Sequence, residues 1–444
     1  MFENKDIYAK LRQLILLLLA FVVSAKGIDA TAQHRAFSDS LTVQDTIKID
    51  VVQAEQLFLK NNLSLLAQKF NISAQKAFII QAKLYPNPEF TFDEGAYNPQ
   101  TGKWFGFGEG SEQAAQLSQL VVLAHKINRQ VKIAETNALL AEYNFFDLLR
   151  TLKFTLRNDF FSIYYLQRSA RVYDEEIRSL QQINTAFEEQ RDKGYIARSE
   201  VVRIKAQLYA LESELNDLRN QINDKESELR LVLQTAPNNY LVPEVDSNLV
   251  LNQDPKLYTL QALMDSAYQN RTDLMIAKGN KTLAEQNYAY QKSLAVPDLT
   301  VGTNYDRAGS YVPNFNAISL GIAIPLFNRN QGNIKGYRSL IDFNDLQLQN
   351  TQKTVEEQVY RGLEKAVDAD KLYQTMDKSF TGEFSQLAQA MFDNYKRRNV
   401  TLLDFLNFYD AYKQYIVQLN YILSNRTTAL ENINFLTGTN FFNK

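Results

Sequence analysis

The stretch Arg191-Asp-Lys-Gly-Tyr-Ile-Ala-Arg-Ser-Glu-Val201 holds the only glycine between Lys126 and Ala236, a span that also lacks proline. Glycine and proline punctuate local structure, so their map outlines the architecture. They cluster at 86–110, 237–255 and 297–336 and are sparse elsewhere. The run 126–193, read as one helix, reaches ~100 Å at 1.5 Å per residue. That length belongs to coiled coils rather than to ordinary globular helices. Gly194 then turns the chain at a left-handed position, and Ser199 or a neighbour starts the next helix. The stretch is the tip of a helical hairpin.

Apolar spacing agrees. Leu208, Leu211, Leu215, Leu218, Ile222, Leu229 and Val232 step by threes and fours, broken only at Lys225. Leu402, Phe405, Tyr409, Tyr412, Ile416, Leu419, Leu423, Leu430 and Ile433 do the same, with Arg426 at the missing step. Both are sustained heptad seams. The glycine- and proline-rich clusters carry the other period. Ile318, Leu320, Ile322 and Ile324 alternate with Ala317, Ser319, Gly321 and Ala323, and Phe90 and Phe92 flank Thr91. Strict alternation marks strands with one apolar face. Four are expected, at about 88–95, 113–123, 298–306 and 316–325.

The chain is also duplicated. At an offset of 209, Asn61-Asn-Leu-Ser-Leu-Leu66 lies over Asn270-Arg-Thr-Asp-Leu-Met275, and Pro88 over Pro297. At an offset of 204, the stretch Lys193–Glu200 lies over Arg397–Asp404. Each half reads helix, strand, strand, long helix, tip, long helix. In the second tip Asn399, one position beyond the residue aligned with Gly194, is expected to supply the left-handed turn. The expected segments are 33–87 (N-terminal segment and first helix), 88–123 (first β-hairpin) and 124–236 (first long hairpin). A linker with the second-repeat helix (237–296), the second β-hairpin (297–326) and the second long hairpin (327–444) follow.

Composition narrows the function. A net charge of −2 gives no basic surface for nucleic acid. Cysteine is absent and there are two histidines, His34 and His125, not at metal-ligand spacing, so neither a cofactor nor a metal site nor a catalytic residue is expected. Gly106–Gly110 lacks the lysine and strand–helix context of a phosphate loop. At the N-terminus, Lys5, Lys10 and Arg12 precede the apolar run Leu14–Val23 and then Ala30-Thr-Ala32. That is the order of a secretory signal peptide, expected over 1–32. Its removal leaves a net charge of −3.

Four strands with an apolar face cannot close a pore alone, and open edges in lipid cost several kcal/mol per group, roughly, so several chains must share one barrel. Here the residues resemble the TolC-like outer membrane factors, the channels of tripartite efflux and type I secretion systems, over the whole mature chain. The sharpest segment, Ile324-Pro-Leu-Phe-Asn-Arg-Asn-Gln-Gly-Asn-Ile-Lys335, is similar to the heavy-metal-efflux branch. The first half departs from it: where family members often carry a Gly-Gly-Lys-Arg turn, this chain has Ala124-His125-Lys126-Ile127. The resemblance implies a mainly α fold of long hairpin coiled coils, with four strands per chain in a trimeric 12-stranded barrel. It implies a non-enzymatic duct in the outer membrane of a Gram-negative bacterium, in contact with lipid. Its partners would be a periplasmic adaptor and an inner-membrane pump, proton-driven or ABC type.

The resemblance also assigns sites. Gly194, Tyr195, Ile196, Ala197 and Arg198, with Arg398, Asn399 and Val400, become adaptor-docking tips, since a turn facing water has no need of apolar Tyr195, Ile196 and Ala197. Tyr395 and Asp404 match the family's periplasmic gate. Asn407 stands where a second aspartate would be, with Glu200 and Ser199 at the corresponding place on the first tip. The rival readings are a periplasmic coiled-coil adaptor or scaffold, and the outer-membrane component of a type I protein secretion system. An aspartate at a helix start also has a plain role, in complementing the helix dipole.

Overall fold

A computed structural model of the chain describes residues 45–99, 102–105, 112–246, 252–308, 312–376 and 380–442. All of them fall in one compact unit, Gln44–Lys444. The expected signal peptide with His34, and the Gly106–Gly110 loop, lie outside the described residues.

The first half begins with β1 (Thr46–Asp50), α1 (Val51–Asn61) and α2 (Leu63–Ala82). Asp50 starts α1 with a capping box: its carboxylate accepts from Gln53 N at 2.8 Å while Gln53 Oε1 accepts from Asp50 N at 3.2 Å. Strands β2 (Glu89–Glu94), β3 (Tyr97–Asn98), β4 (Lys103–Trp104) and β5 (Gln113–Val121) follow, then the long α3 (Lys126–Asp192) and α4 (Arg198–Leu233). A single helix of 67 residues bears out the uninterrupted run. The second half runs β6 (Tyr240–Glu244), α5 (Leu260–Asn270), α6 (Thr272–Leu294), β7 (Leu299–Asp306), β8 (Phe315–Ile322), α7 (Gln331–Gln374), α8 (Phe380–Lys396) and α9 (Leu402–Thr437).

The duplication is visible in detail. Ala54 and Phe58 of α1 are buried, as are Leu263 and Ala267, the residues 209 positions on in α5. Both short helices break from the next at one extended residue, Asn62 and Arg271. Departures from symmetry are also present. The arm matching α3 is divided between α7, which ends at Gln374 with Thr375 as its C-cap, and α8. Strands β1 and β6, not expected from the sequence, pair in parallel with Thr46 opposite Tyr240. They place Ile49 and Leu241 in a core shared with Phe58, Phe160 and Leu229.

The principal sheet has the order β2-β5-β7-β8 and is antiparallel throughout. Residues directly opposite in an antiparallel ladder share a face, so the register sorts the side chains. One face carries Phe90, Phe92, Leu117, Val121, Leu299, Val301, Ile318, Leu320 and Ile322. The other carries Thr91, Asp93, Gln116, Ser118, Thr300, Asn304 and Ser319, with Leu120 and Phe315 as exceptions. Among the described residues nothing covers Ile318, which is 83% exposed on the apolar face. Strands β2 and β8 are both open edges within the chain.

At the base of the sheet, buried Lys126 donates to Asp298 and to the Val296 carbonyl, each at 2.7 Å, and Leu123 N donates to Asp298 at 2.8 Å. The start of α3 is thereby tied to the start of β7. The first heptad seam is buried throughout, whereas in the second Leu402, Phe405, Leu423, Leu430 and Ile433 are buried and Tyr409, Tyr412, Ile416 and Leu419 are half-buried. The two interruptions are packed ion pairs. Lys225 meets buried Asp159 at 3.1 Å. Arg426, only 1% exposed, meets Asp370 at 2.7 Å and lies over the Tyr373 ring at 4.7 Å.

Candidate functional site

The two hairpin tips are built alike. Gly194 N donates to the Arg191 carbonyl and Tyr195 N to the Gln190 carbonyl, both at 2.9 Å. At 204 positions further on, Arg398 N donates to Tyr395 O at 2.9 Å and Asn399 N to Asn394 O at 3.0 Å. Gly194 has φ +78° and nothing lies within 4 Å of where its Cβ would be. In the second tip the left-handed residue is Arg398, with φ +64°, and not Asn399. The turn obeys the repeat register, so the position equivalent to Gly194 takes the conformation whatever residue stands there. The start of the returning helix also differs: α4 begins at Arg198 behind Ala197, which offers no side-chain cap, so Ser199 lies inside the helix.

Tyr195 is 74% exposed, and Ala197, Arg198 and Ser199 are exposed too. Ile196 is not: it is half-buried, as is its repeat partner Val400. Both face a cavity of about 500 Å³ between the tips, which Tyr195, Glu200, Tyr395, Arg398 and Asn399 also line. The cavity brings together seven of the residues singled out in the sequence. Gly194, Ala197, Arg198, Ser199, Asp404 and Asn407 are not among its lining. The tips also touch directly, since the Arg398 guanidinium donates to the Gln190 side-chain oxygen.

Tyr395 is buried in the apolar cluster between the hairpins. Its ring stacks on Phe405 at 4.5 Å and lies 5.8 Å from Phe187. Its hydroxyl has no hydrogen-bond partner. Burial, with the charge of Glu200 adding to it, pushes the phenol well above its ordinary value, so it remains protonated. Asp404 stands in the first turn of α9, exposed, where Thr401 caps the helix. The Thr401 hydroxyl accepts from Asp404 N at 3.2 Å and donates to Asp404 Oδ2 at 2.6 Å. Asn407 is exposed one turn further on.

His125 is exposed in the strand-to-helix turn. Among the described residues no group of histidine, cysteine, aspartate and glutamate could hold a metal ion. Among them, too, no helix is long and apolar enough to cross a membrane. Sequence reasoning missed Gln190 and Phe187, which contact Arg398 and Tyr395 across the tips. No local signal marks them, because each acts through a partner on another helix.

The chain thus combines a four-stranded antiparallel sheet, apolar on one face and with β2 and β8 as its edges, with long helical hairpins. Solved structures share the fold. The Campylobacter jejuni CmeC outer membrane channel matches with a TM-score of 0.68 at 13% identity, over 89% of this chain and 86% of that one. The Neisseria gonorrhoeae MtrE outer membrane channel, in its open state, matches at 0.67 and 12%, over 89% and 90%. The outer membrane protein VceC from Vibrio cholerae matches at 0.62 and 15%, over 88% and 96%. No curated protein matches the sequence. Residues 55–234 match the family model of outer membrane efflux proteins. That segment is similar to the outer membrane efflux family, and the chain as a whole has the fold of those channels.

Proposed function

We propose that this protein is the outer-membrane channel of a tripartite efflux system, a passive duct from periplasm to exterior and not an enzyme. The observation that carries this reading is the sheet. Its apolar face suits lipid, and its polar face suits a water-filled interior. Its edges β2 and β8 call for neighbours, which a trimer supplies by joining three sheets into 12 strands. The protein resides in the outer membrane of a Gram-negative bacterium, with the helices extending into the periplasm, and 1–32 serves as its signal peptide.

The tips Gly194–Arg198 and Arg398–Val400 dock a periplasmic adaptor, which links the duct to an inner-membrane pump, proton-driven or ABC type. Tyr395, Asp404, Asn407, Glu200 and Ser199 form the gate, each repeated around the three-fold axis, and a ring of carboxylates favours cations. The run Ile324–Lys335 supports the heavy-metal branch. Planar-bilayer recording tests the reading. Purified protein should insert as a conducting trimer, and a preparation that stays soluble without detergent and never conducts overturns it.

A further inference from the structure

Among the described residues, one carboxylate between the two hairpins is buried without a partner. Glu176 of α3 is 3% exposed, and neither of its oxygens meets a donor. Tyr173 and Glu175 flank it on its own helix, and Glu214 faces it from α4. From α9 it is faced by Tyr409, Asp410 and Lys413. Lys413 is the cation acting on it, and that ammonium is already engaged. It is itself buried, lies 2.8 Å from Glu214 and 3.1 Å from Asp410, and sits over the Tyr173 ring at 5.3 Å. Three carboxylates thus share one ammonium. Glu176 is the one left out, and it lies at the interface where α3 packs against both α4 and α9.

We propose that Glu176 is a protonation-controlled latch between the two helical hairpins: with its proton it packs as a neutral group, and without it the contact of α3 with α9 near the tips loosens. An unpaired charge in such a site costs several kcal/mol, roughly, unless the group neutralises or gains solvent. Burial is the main cause, opposed by Lys413 and reinforced by Asp410 and Glu214, that pushes the Glu176 carboxyl up to about 7. The sign follows from linkage. The folded value lies above the ordinary glutamate value, so the cohesion is fully present in acid and is lost as pH rises through about 7. The carboxyl is about nine-tenths protonated one unit below that value and about one-tenth protonated one unit above it. Lys413 is the eleventh residue after Leu402, ~16 Å along α9 at 1.5 Å per residue, so the tips feel the change. On the duct reading, loosening there widens the periplasmic entrance.

The chain has no native cysteine, which makes a distance measurement direct. Spin labels on Arg178→Cys and Ala411→Cys, both exposed positions flanking the latch, report the α3–α9 separation by pulsed electron resonance. The sample is the assembled protein in detergent, doped with unlabelled chains. A single short distance is expected at pH 6, with a longer population growing in with a midpoint near 7. Glu176→Gln, neutral at every pH, should keep the short distance throughout. A wild-type distribution unchanged from pH 5.5 to 8.5 overturns the latch, and so does an unaltered pH response in the glutamine variant. Should that variant fail to assemble, the wild-type profile still decides. The measurement involves no transport, so failure of the latch is distinguishable from failure of the duct reading.

Discussion

Asn62 and Arg271 occupy the same point of the two repeats, and each reaches across to the helix that returns from the tip of its own half. Asn62 Nδ2 donates to the Val232 carbonyl at 2.9 Å, and Arg271 Nη1 to the Leu436 carbonyl at 3.4 Å. Those carbonyls are again 204 positions apart, in the last turns of α4 and α9. Asn62 also caps α2, accepting from Leu65 N at 3.1 Å. Arg271 instead grips Asp273 with two hydrogen bonds, at 3.0 and 2.5 Å. One job, closing each half on itself, is done by two chemistries.

Removing either residue should loosen its own half. Arg271→Ala leaves a partly buried carboxylate and a carbonyl without a donor, and should cost about 2–4 kcal/mol. Asn62→Ala loses a cap and a cross-helix bond and should cost about 1–2 kcal/mol. Burial alone would raise the Asp273 carboxyl, but the Arg271 guanidinium overrides it and holds it below its ordinary value. The contribution of this pair is therefore present at neutral pH and is lost as pH falls through that depressed value. Thermal melts from pH 7 into acid should show the gap between wild type and Arg271→Ala narrowing only as pH falls below the ordinary carboxylate range.

Assembly is the next test. Two open sheet edges per chain predict a trimer that resists denaturant, as closed membrane barrels do. Native mass spectrometry in mild detergent should find three chains. A folded monomer as the dominant species counts decisively against the shared barrel.

Docking separates along exposure. Both Tyr195 and Ile196 line the cavity, but Tyr195 is exposed and Ile196 is half-buried. Tyr195→Asp should leave trimer yield and melting unchanged while abolishing export in cells. Ile196→Asp should also weaken tip packing and lower the melting temperature. Normal export by Tyr195→Asp removes this tip from the docking surface.

The gate prediction must separate a charge ring from a helix cap, because Asp404, placed in the ring, also accepts from the hydroxyl of the capping residue Thr401. Asp404→Asn should weaken block by divalent cations from the periplasmic side and lower cation preference, and Asn407→Asp should strengthen both. Thr401→Val removes the cap and keeps the charge, costing about 1 kcal/mol of stability while leaving selectivity intact. If selectivity follows Thr401 rather than Asp404, the acidic ring is wrong.

Ala124 and His125 are both left-handed, with φ +56° and +57°, at the turn from β5 into α3. A left-handed conformation costs a non-glycine residue roughly 1–2 kcal/mol, part of which glycine returns through its freer unfolded chain. Ala124→Gly should therefore stabilise the protein by about 0.5–1 kcal/mol. The Lys126–Asp298 bridge beside it should keep the helix start in place, so conductance should not change.

Much of this fold is legible because long helices and exposed strands are governed by local rules. The Lys126–Asp192 helix follows from a run without breakers, and the strand faces from strict alternation. The duplication locates the second turn, but its left-handed residue is Arg398 and not the expected Asn399, because the repeat register rather than residue tolerance sets the conformation. The tips are where reading from sequence was weakest. Ile196 is as apolar as a docking residue should be, yet its half-burial comes from the second hairpin lying beside it.

What the sequence determined by itself was periodicity: helix where apolar residues recur by threes and fours, strand where they alternate, a turn where the glycine falls, and two halves where the pattern repeats. Those properties reside in neighbours along the chain, and propensity and amphipathicity act at that range. Tertiary structure alone decided which charges are inside. Lys225 and Arg426 read as interruptions of a seam because the buried carboxylates they meet, Asp159 and Asp370, lie 66 and 56 positions away, although Lys225 also pairs with nearby Glu228. Glu176 reads as one acidic residue among many, and only the packing of α4 and α9 around it strips it of water and donors. Burial and pairing are set by distance in space, and a charge acquires its energetic meaning only when other segments close over it.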